Sequence, residues 1–447
     1  MPPQLASLIC ILFILYLFWV DCKKSDGPSK AVWIPFLWMF FAGSRYASAW
    51  LNLSTSNLST LEMASIRNEG SPVDAATFLI LIVAGVFNLY RKKINWTILL
   101  NQNKWLLLYF LYCGISITWS NSPFIAFKRV FKELGNPIMV LVILTEERPY
   151  ETVGAILRHL AFVLLPLSLL FIKYYPELGR AYSYSGQQMY TGVGNQKNAL
   201  GQICLIAAIY YSWQYFLNRN GDFIFELKSN IMDILLIGMI AYLLYMAQSA
   251  TSLVCSVLAV FLFFVSRIKL IANKPGRILV FMVVVSSVFF VMDATMDVKD
   301  AMIEALGRDK SLTSRVPIWQ TLGALFEEFS ISPFVGAGYQ SFWAGDNLIK
   351  IWTRLDAGII QAHNGYFEQY LNLGYMGVGF IGLIVLSALL KIRRHLEVDY
   401  ASAMLRLCFI VIALIYNFTE ASFYGINNIW VLLLIGVIEI PNKGSFY

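Results

Sequence analysis

Charge is what this chain of 447 residues has least of: Asp, Glu, Lys and Arg make up 14% of it, against 58% hydrophobic residues and a mean hydropathy of +0.62. A single soluble core cannot hide that much apolar surface, so lipid has to be part of the solvent. The six cysteines (Cys10, Cys22, Cys113, Cys204, Cys255 and Cys408) lie in or beside apolar runs without paired spacing. That gives no support for a disulfide framework, a zinc ribbon or a redox pair, and leaves small core hydrophobes. Histidine occurs only three times, and neither HExxH nor D-x-D beside an apolar run is present. A lone histidine does not complete a zinc site, which needs several ligands. There is also no P-loop, no G-x-S-x-G and no GxGxxG leading into a helix, which removes nucleotide hydrolysis and serine hydrolysis. Neither a metal nor a cofactor is expected. The N-x-S/T triplets at Asn52, Asn57, Asn95 and Asn417 are assigned no glycosylation.

What is abundant is long apolar runs. They begin near Leu5, Ala31, Val73, Trp105, Pro137, Gly154, Asn198, Ile231, Leu253, Ile278, Gly374, Met404 and Ile429. At roughly 20 residues per crossing this predicts an all-α polytopic transmembrane helix bundle of about 12–13 spans, residues 1–447 forming one integral membrane domain. The first run lacks a basic n-region and a small-residue cleavage site, with Asp21, Lys23 and Lys24 after it, so it reads as a retained helix. Net charge is +7, but the placing of lysine and arginine says more than their excess. Loops with Lys23, Lys24 and Lys30, with Arg91, Lys92 and Lys93, with Arg148, with Arg219, with Arg267, Lys269, Lys274 and Arg277, and with Lys391, Arg393 and Arg394 are assigned to the cytoplasm. The amino terminus then lies outside, and Lys443 lies inside.

The same assignment makes the longest interruption, residues 293–373, a large extracytoplasmic loop inserted between spans. Its composition is not that of a disordered linker, for it holds Trp319, Trp343 and Trp352 and many aliphatic residues. Thr313, Ser314 and Pro317 are helix-start signals, after which Trp319, Leu322, Phe326 and Phe329 give an amphipathic helix. Basic residues left on the outer side run against the positive-inside tendency. Lys173, Lys310 and Lys350 read as solvated charges, whereas Arg129, Lys132, Lys197 and Arg315 sit near predicted helix mouths among aromatic and glycine residues, where a charge needs a partner. Of the histidines, His159 and His395 read as structural or solvated. His363 stands where the loop meets the outer end of a helix, beside Asn364 and Glu368. One base and several fixed cations at a membrane surface suit a lipid-linked phosphate or diphosphate, since arginine forks match phosphate oxygens and lysine adds point charge.

Several stretches carry a family resemblance: AVWIPFLWMFFAGSR with EGSPVD, TWSNSPFIAFKRVFKELGNPIMVLVILTE, YTGVGNQKNALG, SLTSRVPIWQTL, ISPFVGAGYQSFW, AHNGYFEQYLNLGYMG and NFTEASFYGINNIW. In this order, over nearly the whole chain, they resemble the bacterial O-antigen ligase and O-antigen or exopolysaccharide polymerase superfamily, most of all its exopolysaccharide-production branch. The chain departs from that pattern at Ser314, where glycine is usual, and at Gly194, Asn195 and Gln196 before Lys197.

The resemblance implies a C-type glycosyltransferase-like fold and an inverting, metal-independent transfer from a polyprenyl-diphosphate-linked oligosaccharide donor, at the periplasmic face of the bacterial inner membrane. It implies His363 as general base or acceptor-orienting group, Arg315 and Lys197 on the diphosphate, and Arg129, Lys132 and Arg180 as further candidates there. Glu368 either orients His363 or is a solvated helix charge. The acceptor is a growing lipid-linked glycan for a polymerase, which the exopolysaccharide branch favours, lipid A core for a ligase, or a protein for a glycosylating relative. Other polysaccharide export components are conceivable partners, and nucleic acid is not. A flippase or transporter of lipid-linked sugar is the reading from another class; it calls for internal repeats and mid-membrane charges, which are not apparent.

Overall fold

The computed structural model describes residues 1–24, 29–51, 70–182, 186–217, 231–284, 315–355 and 359–441. Expectations resting on Asn52, Asn57, Arg219, Lys443 and the first part of the loop, including Arg308, Lys310, Thr313 and Ser314, lie outside those residues.

In chain order the larger helices are α1 (Pro3–Lys24), α2 (Trp33–Gly43), α3 (Pro72–Tyr90), α4 (Lys104–Ile115), α5 (Pro123–Glu133), α6 (Gly135–Leu144) and α7 (Pro149–Tyr174). A short antiparallel hairpin follows, β1 (Arg180–Tyr182) with β2 (Gln188–Tyr190), Arg180 opposite Tyr190. Then come α8 (Lys197–Phe216), α9 (Ile231–Ala247), α10 (Ala250–Ser266), α11 (Arg315–Glu328), α12 (Gly345–Arg354), α13 (Gly365–Val398), α14 (Tyr400–Tyr416) and α15 (Asn428–Val437). Among the described residues the architecture is therefore helical, as the apolar runs predict, with one small hairpin that their periodicity does not announce.

Among the described residues four helices, α1, α3, α7 and α13, are long and apolar enough to cross a membrane. Shorter apolar helices, α2, α4, α9, α10, α14 and α15 among them, stand beside these. The run expected from Pro137 is only the ten-residue α6. The helices α1 and α3 leave Leu8, Leu12, Leu15, Ile80, Val83 and Phe87 exposed on their outer faces. An apolar surface of that kind is stable only against lipid, which makes this an integral membrane protein. By contrast α7 is buried along most of its length and packs against α1, α8, α9, α6 and α2. Close approach is bought with small residues: a Cβ on Gly201 of α8 would sit 2.6 Å from the Ser252 hydroxyl of α10.

The part of the loop that the structure describes has its own apolar core. Leu322, Phe326, Phe342, Trp343, Leu348 and Ile351 form the centre of it, a cluster separate from the main one. It is joined to the bundle through α13, which breaks at Gly374 (φ +63°, ψ −163°). There the amides of Tyr375 and Met376 bond to Pro333 O at 2.9 Å and Phe334 O at 3.2 Å instead of to the preceding turn. A Cβ at Gly374 would meet the Phe334 carbonyl at 2.3 Å. Only glycine fits both the positive φ and the contact. The segment before the break belongs to the loop core, through Leu371, and the segment after it is the apolar span.

Candidate functional site

His363 and Arg315 are brought together by a residue that the sequence pattern did not single out. The turn between α14 and α15 carries Glu420, 4% exposed, and its Oε1 lies 2.9 Å from Arg315 Nη2. The same Oε1 accepts a hydrogen bond from Asn198 Nδ2 at 2.7 Å, and Oε2 is 3.5 Å from His363 Nδ1. Four segments remote in sequence thus converge on one carboxylate: the start of α8, the start of α11, the entry to α13 and the α14–α15 turn. A buried carboxylate is stable only when its desolvation is offset by such partners.

Local backbone chemistry sets each arm. Asn364 caps α13, its Oδ1 accepting from Tyr366 N and Phe367 N at 3.0 Å each. His363, just before the cap, is left at φ +50°, a left-handed conformation rare outside glycine. It is held there because Gly365 N donates to Asn417 O at 2.7 Å. Asn417 is fully buried, and its Oδ1 accepts from Ser422 N at 2.7 Å, so one side chain folds the Glu420 turn and abuts the His363 turn. Arg315, 7% exposed, has its second terminal nitrogen Nη1 buried with no hydrogen-bond partner among the described residues. An orphan donor of that kind seeks an acceptor.

Beside this group lies a cavity of about 160 Å³, walled by Ser44, Tyr46, Gln196, Asn198, Gln361 and Glu420 among others. The α8 amino terminus opens on it: Gln196, the N-cap residue, makes no side-chain cap, and Lys197 is the first helical residue. The amides of a 20-residue helix start with no side-chain cap favour an anion. Gln361 Nε2 also reaches His363 Nδ1 at 3.4 Å.

The other basic residues are placed differently. Arg129 Nη1 donates to the carbonyls of Gln340 and Trp343 and so ties α5 to the loop. Lys132 stands over the rings of Tyr46 and Phe78, 4.8 and 4.7 Å from their centroids, at the edge of the cavity wall. Arg180 donates twice to Ile172 O, at 2.9 and 2.8 Å, near the carboxyl end of α7. Glu368 is fully buried, not a solvated charge. It accepts from Trp343 Nε1 at 2.6 Å, Asn372 Nδ2 at 3.0 Å and Ala362 N at 2.8 Å, and so braces the backbone next to His363. Lys350 lies over the Phe329 ring on the exposed side of α12. Among the described residues no three His, Cys, Asp or Glu side chains gather as a metal site would require.

Glu420 stood in the sequence as a lone acid in an apolar stretch, NFTEASFYG, and Asn198 followed the lysine of QKNALG. That isolation was the available signal. What spacing does not encode is which cation a lone acid meets.

Residues 234–382, which span Arg315 and His363, match the family described as O-antigen ligase. The exopolysaccharide production protein ExoQ of Rhizobium meliloti (strain 1021) is 25% identical over 308 residues, 66% of this chain and 66% of that protein. The chain is thus similar to the O-antigen ligase and polysaccharide polymerase superfamily. Its likeness falls in the exopolysaccharide branch. No solved structure matches it. The matched stretch begins after Lys197 and stops short of Glu420, so of the cavity residues named above Gln361 alone falls within it.

Proposed function

We propose that this protein is an inverting glycosyltransferase that moves or polymerises a polyprenyl-diphosphate-linked glycan at the periplasmic face of the inner membrane. The observation that carries the proposal is the convergence of His363, Arg315 and Asn198 on buried Glu420 beside a polar cavity. His363 Nδ1 faces both the Gln361 amide nitrogen, at 3.4 Å, and Glu420 Oε2, at 3.5 Å; in the reacting state the proton sits on Nδ1 towards the carboxylate, and Nε2 holds the lone pair that acts as base. Nε2 takes the acceptor hydroxyl proton while the hydroxyl oxygen bonds to the anomeric carbon from the face opposite the leaving group. The bond from that carbon to the diphosphate oxygen breaks, and the configuration inverts.

Arg315 Nη1, Lys197 and the α8 amino terminus supply the positive field for the departing diphosphate. Unit charges about 4 Å apart at an effective dielectric near 20 interact by roughly 4 kcal/mol, enough to matter to a leaving group. Lys132, at the cavity edge, adds to that field, while Arg129 and Arg180 serve by holding the loop and the end of α7. Exopolysaccharide production, in the name of the relative, favours a glycan acceptor and hence polymerase; transfer to lipid A core is the ligase alternative. Purified protein in lipid with a defined polyprenyl-diphosphate glycan tests the reading. His363→Ala should lose roughly 10²–10⁴ in transfer rate while remaining inserted, and a chelator should change nothing. Near-normal product length and yield in that variant would move the base elsewhere.

A further inference from the structure

One buried carboxylate takes no part in that chemistry, although the loop and the Glu420 turn both meet on it. Glu133, the last residue of α5, is 1% exposed. Its Oε1 accepts from Asn136 Nδ2 at 3.0 Å and from Trp430 Nε1, its Oε2 accepts from Gly425 N at 2.6 Å, and the Tyr339 hydroxyl bonds to the same group. These partners come from α6, from α15, from the turn that carries Glu420, and from the GYQSFW stretch of the loop. Asn136 doubles the clamp by donating to Gly425 O at 2.9 Å and accepting from Trp38 Nε1 at 2.9 Å. The helix that presents Glu133 is amphipathic, with Phe124, Phe127 and Phe131 exposed on one face and Ala126, Val130 and Glu133 buried on the other. An exposed aromatic face of this kind suits a membrane interface, and the inner face is anchored to the bundle.

We infer that Glu133 is a positioning residue: its carboxylate fixes the Glu420 turn against the loop, and thereby sets the distance from Glu420 to His363 and Arg315. The inference rests on the transferase reading of that site. Asn136 Nδ2, Trp430 Nε1 and Gly425 N can only donate, and they occupy both oxygens, so the ionised carboxylate is the form that accepts from all of them together. A proton on either oxygen sets a donor against a donor and loosens the turn. Glu133 is therefore a group whose ionisation controls turnover. Burial pushes it up to about 7, against the hydrogen bonds from Tyr339, Asn136, Trp430 and Gly425 that draw it down. The other titratable groups facing it are Tyr339 from the loop and Tyr109 and Cys113 from α4. Phenols and thiols ordinarily ionise well above neutrality, so none of them titrates in the same window.

The test follows donor consumption by the full protein in lipid, with a defined polyprenyl-diphosphate glycan, across acid to neutral pH. Glu133→Gln turns an amide N–H towards at least one of those donors. It should cut kcat roughly 10²-fold, the usual cost of a misplacement of about an ångström, and leave donor KM unchanged. The acid limb of log kcat should lose one unit of slope, since the side chain at 133 no longer takes up a proton. A merely structural role would lower the folded fraction without altering that slope. Tyr339→Phe removes one donor with little change of volume, and should lower kcat by roughly tenfold and shift the acid limb. It decides the matter if the first variant does not insert. Wild-type kcat and slope in folded Glu133→Gln, or in Tyr339→Phe, overturn the inference. His363→Ala is run alongside. If it is inactive while Glu133→Gln behaves as wild type, only the positioning role fails. If His363→Ala is fully active, the transferase reading of the site fails with it.

Discussion

Replacing Glu420 by glutamine removes one charge and almost no volume, so its consequence is set by where the amide nitrogen turns. Oε1 accepts from Arg315 Nη2 at 2.9 Å and from Asn198 Nδ2 at 2.7 Å, whereas Oε2 faces His363 Nδ1, at 3.5 Å. The amide oxygen therefore stays with Arg315 and Asn198, and the NH2 group faces the imidazole. That obliges Nδ1 of His363 to accept, moves its proton to Nε2, and leaves the reacting nitrogen without a lone pair. The loss of the charge itself is more modest, because both short hydrogen bonds survive: about 1–3 kcal/mol of stability is at stake. Glu420→Ala differs, leaving Arg315 buried with its Nη2 unpaired and costing about 3–5 kcal/mol. The expected pattern is thus a Glu420→Gln protein that is inserted and less destabilised than Glu420→Ala but slower than wild type by roughly 10²–10⁴, and a Glu420→Ala protein that is both slow and unstable. Single-turnover donor consumption in lipid, read beside thermal unfolding in detergent, separates the two effects. Full kcat in Glu420→Gln would show that the carboxylate does not govern the tautomer of His363, and would refute the reasoning.

Three further outcomes are expected. In a protein freed of its native cysteines, Cys at the exposed position Asp346 should react with an impermeant maleimide in intact spheroplasts, and Cys at exposed Asn273 only after lysis; the reverse pattern would put His363 in the cytoplasm. Arg315→Lys keeps the charge but not the fork, and should lose roughly tenfold or more in donor turnover, whereas Lys350→Ala on the exposed face of α12 should cost little and Lys197→Arg should be milder than Lys197→Ala. Equal activity of Arg315→Lys and wild type would mean that the diphosphate lies elsewhere. At the opposite end of the bundle, burial alone would raise Glu439, but hydrogen bonds from His395 and the Arg406 charge, at 3.1 and 2.9 Å, outweigh it and hold the carboxyl below its ordinary value. A depressed carboxyl contributes stability above its unfolded pKa of about 4.3 and loses it as pH falls through the lower folded value. Glu439→Gln should therefore flatten the acid side of the melting temperature against pH, and an unaltered curve would dismiss the contribution.

Composition and apolar periodicity by themselves determined that this is a helical membrane protein. They also marked the loop between spans as the place for His363 and Arg315, because ionisable residues are so scarce that each one at a helix mouth demands an explanation. The junction of loop and span at Gly374 was legible in the same way, as a mixed helix running into an apolar one. What only the tertiary structure decided is which charges meet. Arg129, Lys132, Arg180 and Arg315 looked alike in sequence. Yet the first ends on loop carbonyls, the second on aromatic rings, the third on Ile172 O, and only the last on a buried carboxylate. Glu368, one turn beyond His363, turns to Trp343 and to the backbone, while Glu420, from another turn altogether, faces the imidazole. Helix formation and membrane partition are sums over neighbours along the chain, so a sequence exposes them. The partner of a buried ion is set by which helices pack and where their turns meet, and those distances exist only once the chain has folded.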